Sequence, residues 1–134
     1  MQDYTYRKVL ILDTAAFIAA APLYLYDKLL YTTPSVINEV KDSESVQRLM
    51  LAQAVDRLII EEPSKEFIKK AVDAAKRLKI FDKLSKTDID VLALALQLLS
   101  KGFNVTVLTD DYDLQKVLKS MGIDFKAVKT IGIK

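Results

Sequence analysis

The sequence contains no cysteine, no histidine and no tryptophan among its 134 residues, and it has only three glycines and three prolines. Without cysteine or histidine the chain cannot form a disulfide, a thiolate or imidazole zinc site, a Ser-His-Asp triad or a Cys-His pair. The low glycine and proline counts exclude collagen-like and linker-like sequences. Any catalytic chemistry must therefore come from carboxylates, lysines, tyrosines, hydroxyls or a metal ion bound through oxygen atoms alone.

An excess of one charge and long apolar runs are missing too. Twenty basic and 18 acidic residues give a net charge of +2, which by itself indicates no nucleic-acid partner. The longest apolar stretch, residues 15–26, contains Pro22 and is shorter than the roughly 20 residues that a membrane helix needs. The N-terminal sequence MQDYTYRK lacks the pattern of a signal peptide. We expect a soluble, cytoplasmic protein without a membrane partner.

What the sequence does contain is an alternation of short apolar runs with amphipathic stretches. Hydrophobic residues make up 51% of the chain, which predicts one domain over residues 1–134. Runs such as VLIL and VTVL are typical of strands buried on both faces, and apolar residues at i, i+3 and i+4 indicate helices. The predicted strands are 9–12, 29–32, 58–60, 105–108 and 125–128. An alanine-rich helix is expected after the first strand, and further helices at 34–41, 43–57, 64–78, 85–100 and around 114–121. This order predicts an α/β fold with a mainly parallel sheet between two layers of helices.

Two of the predicted strands end in aspartate. Asp13 follows VLIL, and Asp110 and Asp111 follow VTVLT. Ligands of parallel sheets collect at the carboxyl ends of the strands, and Glu39 and Asp88, in predicted helices, could join the same edge. Carboxylates that lie close together repel one another, so such a cluster is typical of a site for a hard cation such as Mg²⁺ or Mn²⁺.

Each acid also has a purely structural interpretation. Aspartate is a favoured helix N-cap, so the three strand-end aspartates could serve only as caps. Asp88 stands three residues after Ser85, which is the spacing of a capping box. Glu39 could be a solvated acid on the surface of its helix. The cation-binding interpretation gains from the five acids taken together.

Four segments, taken in order, resemble the PIN-domain nucleases. They are LDTAAFI at the first strand, TPSVINEV at the second helix, LSKTDIDVLALA at the central helix and VLTDDYDLQKVL at the fourth strand. Within that family the last two segments most resemble the branch that cuts the 3′ end of the small-subunit rRNA precursor in archaea and eukaryotes. The toxin branch of toxin–antitoxin pairs is the next most similar. The ribosomal branch normally continues into a cysteine-bearing zinc ribbon, so the sequence either stops after the catalytic domain or belongs to a stand-alone PIN protein.

The resemblance implies an acidic quartet of catalytic residues. Asp13, Glu39 and Asp88 match the first three acids, while the fourth is Asp111 in a Thr-x-Asp alignment or Asp110 by attachment to the strand end. We favour Asp111. The metal ligands implied are Asp13, Asp88 and Asp110 or Asp111, and the cofactor is Mg²⁺ or Mn²⁺.

The predicted function is metal-dependent hydrolysis of single-stranded RNA, in processing of the small-subunit rRNA precursor. The alternatives are a stand-alone toxin-type ribonuclease and a catalytically idle module that binds RNA or protein. The corresponding partners are RNA with a ribosomal subunit, or an antitoxin; a homodimer is also open. Hydroxyls, lysines and an aromatic ring near the acids are expected to contact RNA phosphates or a base: Thr14, Ser85, Thr109, Tyr112, Lys86 and Lys116. Tyr112 could equally pack against its own helix.

Overall fold

The computed structural model describes residues 8–19, 29–41 and 58–128. Within these ranges, strands and helices alternate along the chain. The strands are β1 (Lys8–Leu12), β2 (Leu29–Thr32), β3 (Leu58–Ile60), β4 (Asn104–Leu108) and β5 (Asp124–Lys126). The helices are α1 (Thr14–Ile18), α2 (Pro34–Lys41), α3 (Lys65–Arg77), α4 (Lys86–Ser100) and α5 (Tyr112–Ser120), with a 3₁₀ turn at Phe81–Lys83. None of the helices in the described part is long and apolar enough to cross a membrane.

The elements predicted from the sequence are found with small shifts. β2, β3 and α2 have the predicted bounds. The predicted helix at 43–57 lies outside the described residues. The last strand was predicted at 125–128 and is found at Asp124–Lys126, so that prediction is wrong by one to two residues. The reason is a contact between distant parts of the chain: the Val128 N–H donates to the side chain of Asp110 instead of joining the sheet.

The sheet has the order β3-β2-β1-β4-β5, and all of its strand pairs are parallel. β1 lies at the centre, and every residue of it after Lys8 is buried, as expected for a strand covered on both faces. The chain runs from β1 toward β3 and then returns to add β4 on the other side. Because parallel crossovers are right-handed, this reversal puts α1 and α2 on one face and α3, α4 and α5 on the other. The three-layer arrangement predicted from the sequence is confirmed.

α4 is the central helix of the second layer. It packs against α3, β1 and β4, and ten of its 15 residues are buried. A fully buried leucine contributes roughly 2 kcal/mol of burial energy, and Leu92, Leu94 and Leu98 are all fully buried. This packing fixes the position of the helix N-terminus, where Asp88 lies.

Three helices of this layer, α3, α4 and α5, end with the same backbone motif. At each end, a residue in the left-handed conformation follows the C-cap, and the next N–H bonds to a carbonyl five residues back, as in a Schellman motif. The left-handed residue is Gly102 after α4 and Gly122 after α5, but it is Lys79, with φ 60°, after α3. An L-residue pays about 1 kcal/mol for this conformation, which glycine avoids. α3 therefore ends with a lysine at a local cost in stability.

Candidate active site

The ends of β1 and β4 bring acids from two segments to one edge of the sheet. Leu12 and Leu108, the last residues of these strands, pair in register, and the Asp13 N–H donates to the Leu108 carbonyl at 3.3 Å. The strands that carry Asp13 and the Asp110–Asp111 pair are therefore neighbours, which is the condition under which the sequence predicted that these acids share one edge. The crevice between them is the point where the strand order reverses, the usual place for ligands in open α/β sheets.

Asp13 is the most buried acid of this edge, with 7% of its surface exposed. It is the N-cap of α1, and its Oδ1 accepts the Ala16 N–H at 3.0 Å. The pKa of Asp13 is raised to about 6, chiefly by burial and to a smaller extent by the charges of Asp88 and Asp110. Hydrogen bonds from the Thr109 side chain and the Ala16 N–H act in the opposite direction. The carboxyl group of Asp13 is thus held where its negative charge is poorly solvated and is repelled by the neighbouring carboxylates.

Asp88 lies at the N-terminus of α4 in a complete capping box. Its backbone N–H donates to Ser85 Oγ at 3.1 Å, and its Oδ2 accepts the Ser85 N–H at 2.9 Å. The structural role predicted for both residues is therefore present. The pKa of Asp88 is nevertheless raised, first by burial and then by the charges of Asp111 and Glu39. The cap holds Asp88 within the field of the other acids.

Glu39, on α2, is held by two threonines from separate elements. Thr14 Oγ1 donates to its Oε1 at 2.5 Å, and Thr87 Oγ1 donates to its Oε2 at 2.6 Å. Both carboxylate oxygens are therefore fixed, although the side chain is exposed. Glu39 is therefore not simply a solvated acid on the surface of its helix. One of the two threonines directly follows Asp13 and the other directly precedes Asp88, so Glu39 is bonded to the segments that carry these acids.

Asp110 and Asp111 are held differently. Asp111 is the N-cap of α5: its Oδ1 accepts the Leu114 N–H at 2.8 Å. Asp110 is exposed, and its Oδ1 accepts the Val128 N–H at 2.7 Å, so it is held by the segment that follows β5. Each of the two carboxylates acts on another acid of the edge, because Asp111 raises the pKa of Asp88 and Asp110 raises that of Asp13. Both therefore belong to the cluster.

The donor set of this edge fits a hard divalent cation. It consists of carboxylate and hydroxyl oxygens, the ligands that Mg²⁺ and Mn²⁺ prefer. The backbone hydrogen bonds of Asp88 and Asp111 use Oδ2 and Oδ1 respectively. The other oxygen of each carboxylate is then available to bind an ion. In the described part of the chain no three acidic side chains converge on one point that could hold an ion. Repulsion between ionised carboxylates favours such separation, so an ion would have to draw the side chains together.

The other predicted contact residues lie around this cluster. Thr109 is fully buried, and its hydroxyl accepts the Asp111 N–H at 3.0 Å while bonding to Asp13. Because Thr109 is buried and bonds to both Asp111 and Asp13, its position favours a role in holding these two acids over the predicted contact with substrate. Tyr112 is 69% exposed, and Lys116 Nζ lies 4.7 Å from its ring centroid. Tyr112 thus contacts a lysine of its own helix and is also exposed enough to contact a ligand.

Lys86, predicted to contact phosphate, is paired with Asp90. Its Nζ lies 3.1 Å from Asp90 Oδ2, which also accepts the Ser35 hydroxyl at 2.7 Å. Asp90 is buried, so the pair connects the start of α2 to the first turns of α4. The Lys86 side chain is 83% exposed, and its contact with RNA stays a prediction.

Local sequence patterns did not predict Thr87 or Ser35 at this edge, and Asp90 was a weaker candidate because it lies only two residues from Asp88. Thr87 and Asp90 fix α2 against α4, through Glu39 and Ser35 respectively. A signal was available, since both are polar positions in the buried face of an otherwise apolar helix. Their partners lie 48 and 55 residues away in the sequence, which no local pattern identifies.

Comparison with known proteins finds that the sequence of this chain is similar to those of ribonucleases. A family model described as "PIN domain of ribonuclease" matches residues 10–98. Ribonuclease VapC3 of Aeropyrum pernix is 40% identical over 119 residues, which cover 89% of this chain and 85% of the relative. Endoribonuclease Nob1 of Methanothermobacter thermautotrophicus is 40% identical over 125 residues, covering 92% of this chain and 71% of the relative.

Solved structures show the same fold at low sequence identity. A PilT N-terminus domain protein from Sulfolobus solfataricus superposes with a TM-score of 0.59 at 13% identity, over 92% of this chain and 89% of that one. A chain of VapBC-1 from nontypeable Haemophilus influenzae gives the same TM-score and identity, over 90% of this chain and 98% of that one. At 13% identity, the similarity to these two structures supports the fold alone.

Proposed function

Because the chain belongs to the PIN-domain family of ribonucleases, we propose that it is a divalent-metal-dependent endoribonuclease that hydrolyses single-stranded RNA. The observation that carries the proposal is the carboxylate cluster at the carboxyl edge of β1 and β4. Burial and mutual repulsion raise the pKa values of Asp13 and Asp88. Proteins commonly keep strained clusters of this kind at functional sites.

The cation would be Mg²⁺ or Mn²⁺, held by Asp13, Asp88 and Asp111, with Asp110 as the alternative fourth acid. When bound, such an ion supplies an acidified water and neutralises charge on the scissile phosphate. Without histidine, the chain has no imidazole to act as general base, which makes this contribution the more important. A cation in the cluster would also keep Asp13 ionised at neutral pH.

The chain's own residues would orient the reacting groups. Thr109 and the Ala16 N–H fix the carboxylate of Asp13. Thr14 and Thr87 fix both oxygens of Glu39, so that Glu39 would accept a hydrogen bond from the attacking water in one orientation. Holding reacting groups in place removes entropy from the barrier. Lys116 and Tyr112 would hold the RNA strand next to Asp111.

Two biological substrates are compatible with this chemistry. Processing of the small-subunit rRNA precursor is our main proposal, as the resemblance of LSKTDIDVLALA and LTDDYDLQKVLKSMGI implied. Toxin-type cleavage with an antitoxin partner is the alternative, which the match to VapC3 over 85% of that relative's length supports. RNA that spans the 3′ end of the small-subunit rRNA distinguishes them. One cut at that boundary supports the first role, whereas cuts at other RNAs with none at the boundary support the second.

The basic test is incubation of end-labelled single-stranded RNA with the protein in Mn²⁺ and in EDTA. We expect cleavage in Mn²⁺, none in EDTA, and none with the Asp13→Asn variant in either buffer. Asp73→Asn is the matched control, because Asp73 is an exposed acid on α3 and should not affect cleavage. Cleavage that persists in EDTA would contradict the metal mechanism. RNA binding without cleavage in Mg²⁺ and in Mn²⁺ would indicate an idle module.

A further inference from the structure

A basic groove lies between α5 and the connection that follows α3. Leu78 and Ile80 line one side, and Lys116, Lys119 and Ser120 line the other, around a volume of about 340 Å³. We propose that this groove, here called the α3–α5 groove, binds the phosphates of the RNA strand beyond the cleavage site. The inference rests on the proposed ribonuclease function and adds a binding surface outside the carboxylate cluster.

The α3–α5 groove continues directly from the candidate active site. α5 begins right after its N-cap Asp111. At 3.6 residues per turn, Tyr112, Lys116 and Lys119 fall within about 60° of one another around the helix and form one stripe. The rise of 1.5 Å per residue puts Lys119 about 12 Å along the helix axis from Asp111. A strand cut beside Asp111 therefore needs only a short extension to reach Lys119.

The cations of this groove are available for a ligand. Lys116 and Lys119, which line the groove, and Lys79, which adjoins it, form no ion pair with any acid in the described part of the chain. Lys86 and Lys101, in contrast, are paired there with Asp90 and Glu61. α5 itself carries a single acid, which is half-buried. The chain's overall charge of +2 is therefore distributed so that the groove beside the acidic cluster is locally basic.

Lys79 is a second, independent observation that points to a ligand. It lies between the lining residues Leu78 and Ile80, is exposed, and has φ 60°. The equivalent positions after α4 and α5 are Gly102 and Gly122. A lysine at a position where glycine would be more stable is expected where the side chain has a function, since local strain tends to be kept at functional sites.

Single-stranded RNA is the occupant that fits these features. The lysines provide cations for successive phosphates, and the ring of Tyr112, 69% exposed, offers a stacking surface that only an unpaired base can use. Leu78, 40% exposed, adds an apolar wall against which a base or ribose can pack. A duplex would keep its bases away from both groups.

The test measures binding of fluorescent oligouridylate by anisotropy in EDTA, where no cleavage competes. The variants are Lys119→Ala and Lys79→Gly, and the matched control is Lys8→Ala, since Lys8 is an exposed lysine at the start of β1 that does not line the groove. Each phosphate contact on a single strand contributes about 0.7 to the slope of log K against log salt. We expect each groove variant to bind an oligomer of about 15 nucleotides more weakly and with a slope shallower by about 0.7, and Lys8→Ala to match the parent.

RNA length provides the second readout. A dinucleotide has a single internucleotide phosphate and cannot contact both the carboxylate edge and Lys119 across about 12 Å, so the groove variants should reduce its binding much less than that of the longer oligomer. Lys79→Gly should also unfold at a higher temperature than the parent, so weaker binding by that variant cannot come from misfolding.

Several results would overturn the inference. The groove proposal would be wrong if the groove variants bound the longer oligomer as tightly as Lys8→Ala does. If the parent still cleaved RNA in Mn²⁺, the ribonuclease proposal would be unaffected. A parent that neither binds nor cleaves RNA would remove both. Equal binding of a duplex, or equal dependence of polyaspartate binding on Lys119, would show that the groove does not select single-stranded RNA.

Discussion

At the scale of single residues, the aspartates at the helix N-termini each accept a backbone hydrogen bond with one oxygen. Asp13 and Asp111 cap helices, and Asp88 completes a capping box. The structural and functional interpretations of these residues are thus compatible, because a carboxylate has two oxygens and the cap uses one. Through these hydrogen bonds the helix N-termini become part of the site's construction.

The first prediction concerns the charge of these caps. Asp13→Asn and Asp88→Asn should each abolish cleavage while the protein stays folded, because an amide oxygen can accept the same backbone N–H, and at the N-cap position of Asp13 asparagine is as good as aspartate. The measurements are RNA cleavage in Mn²⁺ and the urea midpoint of unfolding. Unfolding of either variant at 25 °C would mean that the residue acts chiefly as a structural cap.

The second prediction concerns Thr87, which holds Glu39 from α4. Thr87→Val keeps the side-chain shape and removes a hydrogen bond to a carboxylate, worth about 1.5–3 kcal/mol, so the cleavage rate should fall roughly ten- to hundredfold. Thr87→Ser keeps the hydroxyl and should restore most of it. A positioning role predicts that Thr87→Val also raises the Mn²⁺ concentration needed for half-maximal activity. Equal rates for the parent and the valine variant would show that Glu39 needs no support from α4.

At the scale of elements, what matters is where the helices begin and end. α1, α4 and α5 each start at the carboxyl edge with a carboxylate in the cap or the first turn. Their first N–H groups stabilise negative charge, which allows several acids to share the edge. At the opposite ends, α3, α4 and α5 all stop with a left-handed residue, and only the identity of that residue differs.

The third prediction compares two of these helix ends. Lys79→Gly should raise the free energy of unfolding by about 1 kcal/mol, and Gly102→Ala should lower it by a similar amount, because both positions have positive φ. A Cβ at Gly102 would meet no atom within 4 Å, so the cost there comes from the backbone alone. Urea unfolding of both variants measures the difference. A stability loss in Lys79→Gly would show that the lysine side chain stabilises the end of α3.

At the scale of the whole molecule, the carboxylate cluster couples stability to metal and to pH. Five acids from four segments lie close enough to repel one another electrostatically. Folding creates this repulsion, and unfolding removes it. A cation or protons should each reduce that repulsion. Both can be measured on the folded protein without an RNA substrate.

The fourth prediction is stabilisation by metal. A free Mn²⁺ concentration of roughly 100 times the dissociation constant should add about 2.7 kcal/mol to the parent by linkage. Asp88→Asn should gain much less at the same concentration, because one ligand is lost. Melting curves of both proteins, in Mn²⁺ and in EDTA, give the two shifts. Shifts of equal size would remove Asp88 from the ion site and leave its capping box as its role.

The fifth prediction is the pH dependence of the metal-free protein. The pKa of Asp13 is raised from 3.8 to about 6, so the folded state binds more protons than the unfolded state between these values. Stability due to this group is therefore present below about pH 4 and is lost as the pH rises through about 6. Between roughly pH 5 and 7.5 the loss is about 1.4 kcal/mol.

Comparison with Asp13→Asn isolates this group from the others that titrate. The variant should show a smaller decrease in the free energy of unfolding over the same pH range, and saturating Mn²⁺ should reduce the parent's decrease. An identical pH dependence in parent and variant would contradict the burial of a strained carboxyl at position 13.

Much of the fold could be predicted because its signals are local. The strands have continuous apolar runs, and their bounds at β2 and β3 were correct to the residue. Helix starts followed from Thr33–Pro34 and from Ser85, which are capping and first-turn signals. The last strand was misplaced, since the end of a strand depends on what its N–H groups can bond to, and Asp110 lies 18 residues from Val128.

The sequence by itself determined the chemistry of this protein and the edge at which it occurs. With no histidine or cysteine, only oxygen ligands were available, and aspartates at the ends of two parallel strands had to share one edge if the strands were neighbours. The tertiary structure decided which neighbours those acids have: the pairing of β1 with β4, the two threonines on Glu39, and the lysine stripe beside Leu78. These contacts join segments that are far apart in the chain, and only the packing of helices on both faces of the sheet brings them within bonding distance.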